Sequence, residues 1–208
     1  MNLIFLIILS IIVMSITIYT GTRLYKKTET NFDKRIRDKF IDRDPHMISV
    51  MKSITRLGNV ETLVVIVIPI LFVLIRENEY ITASSILISS GLSIFTSQCF
   101  KFIFRRGRPT KKREFNYIGY SFPSGHSTVG ISFYLNLAYL VSAGTNKLHI
   151  MLAIGILIGL LIAFSRIYLG VHWASDVIIG ILLGFTCAFW SIYLYNNDFV
   201  LRIIFRDC

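Results

Sequence analysis

The chain has 208 residues, of which 54% are apolar, and it carries a formal net charge of +10. Its charged residues fall in a few stretches between long apolar runs, which is typical of a polytopic membrane protein and excludes an ordinary soluble domain. The positive charge favours anionic partners. Because the basic residues lie between apolar runs, we expect lipid headgroups and phosphorylated lipids as partners, and no nucleic acid.

Six apolar runs are long enough to cross a bilayer, whose hydrocarbon core of roughly 30 Å requires about 20 helical residues. They cover residues 2–21, 60–76, 80–104, 125–143, 149–169 and 174–196. The expected fold class is therefore all-α, a single domain over residues 1–208 with six transmembrane helices in the cell membrane and both termini on one side. The first run has neither a basic segment before it nor a clear small-residue cleavage site, so we interpret it as a retained span.

Residues 22–59 are too polar to cross the membrane, yet their apolar residues recur at helical spacing. One group is Phe32, Ile36 and Phe40, and a second group follows Pro45. We predict two short amphipathic helices, split at Pro45, that lie on the membrane surface between the first two spans. Two roles remain open for them, namely a cover packed on the helical bundle and a surface that captures lipid.

Three unusual polar clusters fall on one face of this predicted bundle. With six spans, the loops at residues 22–59, 105–124 and 170–173 share that face. The clusters read KFIFRRGRP (residues 101–109), PSGH (123–126) and SRIYLGVHWASD (165–176), and each joins a helix end to a loop.

The first cluster provides two cations. Lys101 and Arg108 are seven residues apart, which is almost two helical turns. A helix that continued past Lys101 would therefore direct both side chains to the same side. Gly107 and Pro109 would then end this helix. Two fixed cations suit a phosphate dianion. The alternative is a pair of basic anchors that snorkel at the end of a span.

The second cluster has the composition of an anion site at the start of a helix. Pro123 ends the loop, Ser124 can cap the helix, and Gly125 allows an anion to approach the helix amides. His126 then lies within one turn of a bound anion. The alternative is an ordinary serine cap beside an interfacial histidine.

The third cluster pairs a histidine with a carboxylate. Arg166 closes the fifth span, Gly170 turns the chain, and His172 and Asp176 are four residues apart, a spacing that stacks side chains on one helical face. If Asp176 accepts the Nδ1 proton of His172, Nε2 keeps the lone pair that a nucleophile or base requires. A purely structural pair is the alternative, but three such clusters at span ends together favour a functional site.

These residues form the pattern K, six residues, RP; then PSGH; then SR, five residues, H, three residues, D. The pattern resembles that of the type 2 phosphatidic acid phosphatase (PAP2) superfamily, which includes membrane lipid phosphatases and the vanadium haloperoxidases. All eleven fixed positions are present in order, and six spans fit the small bacterial-type membrane members. The first 100 residues carry no motif of this family.

The resemblance implies a role for each motif residue. His172 would attack phosphorus and form a phosphohistidine, with Asp176 orienting the ring, and His126 would protonate the departing lipid oxygen and then activate water. The phosphate oxygens would be held by Lys101, Arg108, Ser124, Gly125 and Arg166. No metal or other cofactor is needed in this scheme, and Asp176 is the only carboxylate within the three motifs.

The resemblance thus implies a membrane phosphatase acting on a phosphomonoester or diphosphate lipid. Polyprenyl diphosphate, phosphatidic acid and phosphatidylglycerol phosphate all present a phosphate at the interface, and no residue selects among them; the oligomeric state is equally open. The rival functions are a transporter with a basic vestibule and a phospholipid-binding scaffold without catalysis. The complete motif set favours the phosphatase, and the broken spans or midplane charges of a transporter are not evident in the sequence.

Two indications conflict over the side of the membrane on which the site lies. The motif face carries eighteen Lys or Arg residues and the opposite face four, so the positive-inside rule places the motifs in the cytoplasm. Members of the family generally work on the extracytoplasmic side, and we expect the same here.

Overall fold

The computed structural model describes residues 2–25, 29–109 and 119–197, and within these ranges every regular element is a helix. The helices are α1 (Leu3–Tyr25), α2 (Asn31–Asp38), α3 (Pro45–Arg56), α4 (Val60–Arg76), α5 (Tyr80–Phe104), α6 (Gly125–Ser142), α7 (Leu148–Tyr168) and α8 (Ala174–Asn196). The all-α prediction is confirmed, and six of these helices occupy the six apolar runs. Residues 110–118 of the predicted loop at 105–124 lie outside the described residues.

Not all six helices qualify as membrane spans. Within the described part of the chain, α1, α5, α7 and α8 are long and apolar enough to cross, and a fifth candidate is the pair α3 and α4, which bend by 44° at their break. α4 alone has 17 residues, and α6 contains buried polar side chains such as Ser132 and Asn136. Four to five spans are therefore supported, and the predicted number of six is not confirmed.

α6 lies at the centre of the bundle and packs against α5, α7 and α8. Glycines on α8 allow this close approach: a Cβ at Gly180 would lie 2.7 Å from the Ser124 carbonyl oxygen, and one at Gly184 would lie 2.7 Å from that of Thr128. Small residues at such positions let helix backbones come together in a membrane. The approach brings the first turns of α6 and α8 side by side.

Buried hydroxyl and amide groups hold the same helices together. Ser85 on α5 lies 2.9 Å from Ser191 on α8, and its carbonyl oxygen accepts a hydrogen bond of 3.2 Å from Asn136 Nδ2 on α6. One turn further along α5, Ser89 Oγ lies 2.9 Å from Ser132 Oγ. Such polar contacts are typical of helix interfaces in membranes, where a lone buried polar group is costly.

The segment between the first and second apolar runs folds as predicted into two short helices separated at Pro45. Pro45 is the first residue of α3, where its missing N–H is not needed. The two helices also pack on the bundle, α2 against α8 and α3 against α7. They cover the end of the molecule at which the three motifs lie.

Candidate active site

The three motif clusters meet at one end of the bundle. Lys101, near the end of α5, places Nζ beside the first turn of α6, where a Cβ at Gly125 would lie 3.3 Å away. The Ser124 amide donates to the Asp176 carbonyl oxygen at 3.0 Å, which joins the starts of α6 and α8. Arg108 Nη1 lies 3.3 Å from His172 Nε2. The three clusters predicted to lie on one face therefore meet at one end of the bundle.

His172 is buried and is contacted at both ring nitrogens. Nε2 faces Arg108, whose Nη1 also donates to the Val171 carbonyl oxygen at 3.0 Å. Nδ1 lies 3.3 Å from Ser121 Oγ and 3.6 Å from Asp176 Oδ2. Ser121 also donates a short hydrogen bond to Asp176 Oδ2. The serine hydroxyl therefore contacts both partners of the predicted histidine and aspartate pair.

The direct hydrogen bond expected between His172 and Asp176 is not formed, because 3.6 Å exceeds hydrogen-bond distance. α8 begins at Ala174, so His172 lies in the loop before the helix and does not share a helical face with Asp176. Asp176 Oδ2 accepts instead from Ser121 Oγ and from the Trp173 amide, the latter at 3.0 Å. The carboxylate and the ring are therefore connected through Ser121, whose hydroxyl contacts both.

The electrostatic surroundings keep the His172 ring neutral. Burial lowers the pKa of His172 well below its ordinary value, and the positive charges of Arg166, Arg108 and Lys101 lower this pKa further. A neutral imidazole keeps a lone pair, which is the form that a nucleophile requires. The three predicted phosphate-binding cations therefore act together on this one ring.

A residue that the sequence did not single out, Arg106, holds Asp176. Its Nη1 lies 2.5 Å from Asp176 Oδ1 and its Nη2 lies 2.6 Å from Asp33 Oδ2 on α2, and all three side chains are fully buried. The planar guanidinium fork is suited to bridging two carboxylates. Asp33 Oδ1 also accepts from the Ser175 amide at 2.9 Å, so α2 is fixed to the first turn of α8.

The end of α5 explains why the sequence does not predict the role of Arg106. The helix ends at Phe104, and Arg105 adopts a left-handed conformation with φ 45°, which reverses the chain. The prediction that one helix carries both Lys101 and Arg108 is therefore wrong. After the reversal Arg106 is directed into the interior, while Arg108 reaches His172 across the loop.

The start of α6 differs from the prediction in one respect. Ser124 occupies the N-cap position, but its Oγ accepts from Ser127 Oγ at 2.8 Å and not from an amide of the first turn of α6. Ser124 is fully buried beside α8, which directs its hydroxyl inward. The first turn of α6, which begins at Gly125, lies beside the Lys101 ammonium. Helix amides together with an ammonium group suit an anion.

The remaining two predicted residues are held by the last turn of α3 and by the break between α3 and α4. Arg166, buried at the end of α7, donates from Nη1 to Thr55 Oγ1 at 2.7 Å. His126 Nε2 lies 2.8 Å from Asn59 Oδ1. Neither Thr55 nor Asn59 belongs to a motif, and their long sequence separation from their partners leaves no spacing signal.

Residues 82–199 match the family model described as the PAP2 superfamily. An undecaprenyl-diphosphatase from Sulfolobus acidocaldarius is 28% identical, over 57% of this chain and 58% of that protein, so the match spans less than two thirds of the relative.

Two solved structures share the fold over most of their length. The PAP2 type phosphatidylglycerolphosphate phosphatase from Bacillus subtilis, a transmembrane protein, is 25% identical with a TM-score of 0.76, covering 87% of this chain and 94% of that one. LpxE from Aquifex aeolicus is 27% identical with a TM-score of 0.61, covering 77% and 93%. With its several apolar helices, the chain is a multi-pass membrane protein. It belongs to the PAP2 superfamily.

Proposed function

We propose that the chain is an integral membrane phosphatase that hydrolyses a phosphomonoester or diphosphate lipid through a phosphohistidine, without a metal ion. The observation that carries the proposal is the environment of His172, a buried ring kept neutral and contacted by Arg108 at Nε2. The names of the similar proteins, an undecaprenyl-diphosphatase and a phosphatidylglycerolphosphate phosphatase, support this substrate class.

In the first step, the Nε2 lone pair of His172 attacks phosphorus and the bond from phosphorus to the lipid oxygen breaks. Positive charge develops on the imidazole, and Asp176 and Ser121 on the Nδ1 side stabilise it. Negative charge on the transferring phosphoryl oxygens is stabilised by Lys101, Arg108, Arg166, the Ser124 hydroxyl and the Gly125 amide.

His126 completes the cycle by moving one proton in each direction. It gives a proton to the lipid oxygen as that group departs, and it takes a proton from the water that attacks the phosphohistidine. The attack of water returns the electron pair of the phosphorus–nitrogen bond to His172 Nε2 and releases inorganic phosphate.

The carboxylate of Asp176 supports a scheme without a metal ion. Its Oδ1 is engaged by Arg106 and its Oδ2 by Ser121 and the Trp173 amide, so both oxygens already serve to position the site. The cations and helix amides supply the positive charge that a metal ion supplies in other phosphatases.

We further propose six crossings by a single domain, with the active site on the extracytoplasmic face. Arg56, exposed on α3 beside the motif loops, provides a test of the face. With the native cysteines replaced, an Arg56→Cys variant should react with an impermeant thiol reagent in intact cells, and an Asn146→Cys variant should not. The opposite labelling pattern would place the site in the cytoplasm.

Phosphate release from a panel of three lipids, in excess EDTA, tests the function. The panel comprises polyprenyl diphosphate, phosphatidic acid and phosphatidylglycerol phosphate. The protein should turn over at least one of these lipids, and His172→Ala should reduce that turnover to background. Strict dependence on a divalent metal would contradict the metal-free scheme. Lipid binding without turnover would indicate a scaffold, and flux that persists in His172→Ala would indicate a transporter.

A further inference from the structure

Asn59 lies at the break between α3 and α4, outside the three motifs and outside the residues matched by the family. It occupies the N-cap position of α4, where an asparagine side chain ordinarily accepts a hydrogen bond from an amide of its own helix. Here its side chain does not accept from the first-turn amides of α4. Its Oδ1 lies 2.8 Å from His126 Nε2 instead. A local capping bond is replaced by a contact with the proposed acid.

The break is fixed against the bundle by three further contacts. The Tyr134 hydroxyl donates a hydrogen bond to the Leu57 carbonyl oxygen at 3.0 Å, and Thr55 Oγ1 accepts one from Arg166. Gly58 is buried so tightly that a Cβ would lie 2.7 Å from Ile162 Cγ2 and 3.3 Å from His126 Cδ2. The backbone that leads into Asn59 is therefore held in place, and the Asn59 side chain reaches His126 from a fixed position.

We propose that Asn59 is a positioning residue whose Oδ1 accepts a hydrogen bond from Nε2–H of His126 throughout the reaction, which assigns the transferred proton to Nδ1. An imidazolium donates from both nitrogens and a neutral imidazole from one. With Nε2–H retained on Asn59, the proton that leaves and returns is the one on Nδ1. This inference rests on the proposed phosphatase function.

The assignment gives each step a defined proton balance. As the phosphorus–oxygen bond breaks, its electron pair stays on the lipid oxygen, which takes the proton from His126 Nδ1. The freed Nδ1 lone pair then takes a proton from the attacking water, whose oxygen bonds to phosphorus while the phosphorus–nitrogen bond returns its pair to His172. Nε2 of His126 remains protonated from start to finish.

A neutral partner such as an amide suits a ring that must release its proton. A carboxylate at position 59 would stabilise the imidazolium and oppose the release of its proton. An amide oxygen orients the ring without adding a charge.

The test compares substrates whose leaving groups differ in basicity. Phosphatidic acid releases a basic alkoxide, which needs a proton, whereas p-nitrophenyl phosphate releases a weakly basic phenolate. For Asn59→Ala, kcat/KM should fall at least about 10-fold on phosphatidic acid and less than about 3-fold on p-nitrophenyl phosphate, because a general acid contributes about 10² to 10⁴. The ratio kcat/KM reports phosphohistidine formation and is unaffected by the later attack of water.

Two variants control for a structural effect. Tyr134→Phe removes another tether of the same break without touching the His126 contact, and it should keep the parent ratio between the two substrates. Asn59→Asp retains an acceptor but adds a charge that opposes release of the proton, so its kcat/KM on phosphatidic acid should lie below that of the parent and above that of Asn59→Ala.

Equal losses on both substrates, no loss in Asn59→Ala, or a selective loss in Tyr134→Phe would each overturn the assignment. The His172→Ala variant separates this inference from the proposed function. If that variant still turns over both substrates, the phosphohistidine mechanism itself fails, whatever the result at Asn59.

Discussion

The first turns of α6 and α8 lie side by side at the same end of the molecule, yet their amides are used differently. In α8 the Trp173 amide donates to Asp176 and the Ser175 amide donates to Asp33. In α6 the N-cap hydroxyl is turned toward Ser127, and the Lys101 ammonium lies beside Gly125. Because early helix amides attract negative charge, the start of α8 is neutralised by its own carboxylates, whereas the positive start of α6 suits a further anion. In the proposed function, the start of α8 therefore positions the nucleophile and the start of α6 binds the phosphate.

Removing Arg106 should break the start of α8 and have the largest effect. An Arg106→Ala variant leaves two buried carboxylates, Asp33 and Asp176, without the guanidinium between them. Breaking a buried ion pair in this way costs about 3–5 kcal/mol. We expect a large fall in the detergent-solubilised melting temperature and loss of turnover. Arg105→Gln, at the exposed neighbouring position, should leave both near parent values, and a stable Arg106→Ala variant would contradict the structural role.

A side chain at Gly125 should disturb the start of α6 with a smaller effect. In Gly125→Ala the new Cβ lies 3.3 Å from Lys101 Nζ, which displaces the ammonium and narrows the approach to the helix amides. Misplacement of this kind lowers activity by up to about 100-fold. Inhibition by vanadate, which mimics the transferring phosphoryl group, should weaken in parallel while the melting temperature stays near that of the parent.

The matched control for Gly125 is Gly91→Ala in the middle of α5. A Cβ at Gly91 meets no described atom within 4 Å, so this variant should keep parent activity and vanadate inhibition. Equal vanadate affinity in the Gly125 and Gly91 variants would mean that the start of α6 is not the phosphate site.

The smallest expected effect concerns pH. Because the pKa of His172 lies below its ordinary value near 6.5, the ring stays neutral as pH falls through 6.5, and the nucleophile is lost only at lower pH. Phosphohistidine formation from p-nitrophenyl phosphate, whose departure needs little help from His126, should therefore change little between pH 7.5 and about 6.5. A half-loss centred at pH 6.5 or above would show that burial and the three cations do not act on the ring as described.

The sequence predicts the meeting of the three motifs because each lies at a helix end and alternating spans bring those ends to one face. It mispredicts details that depend on where helices begin. His172 precedes α8 by two positions, which prevents the stacking on Asp176, and α5 ends before Arg108.

The partners of the motif residues were beyond prediction for a different reason. Asp33 is 73 residues from Arg106, and Asn59 is 67 residues from His126. Contacts across such distances leave no periodicity, and a buried aspartate on a short, highly charged helix looks in the sequence like any solvated residue. The N-terminal helices, which carry no motif, supply these partners.

The most direct test of the account is identification of the covalent intermediate. Protein carrying His126→Ala, incubated with p-nitrophenyl phosphate and quenched rapidly without acid, should accumulate phosphate because the attack of water on the intermediate is slowed. We predict an acid-labile, base-stable phosphate on His172, which should be absent when the same protein also carries His172→Ala. Phosphate on Ser121 or Ser124 would contradict the phosphohistidine at His172. Turnover without a phosphoenzyme in both the parent protein and this variant would contradict it as well.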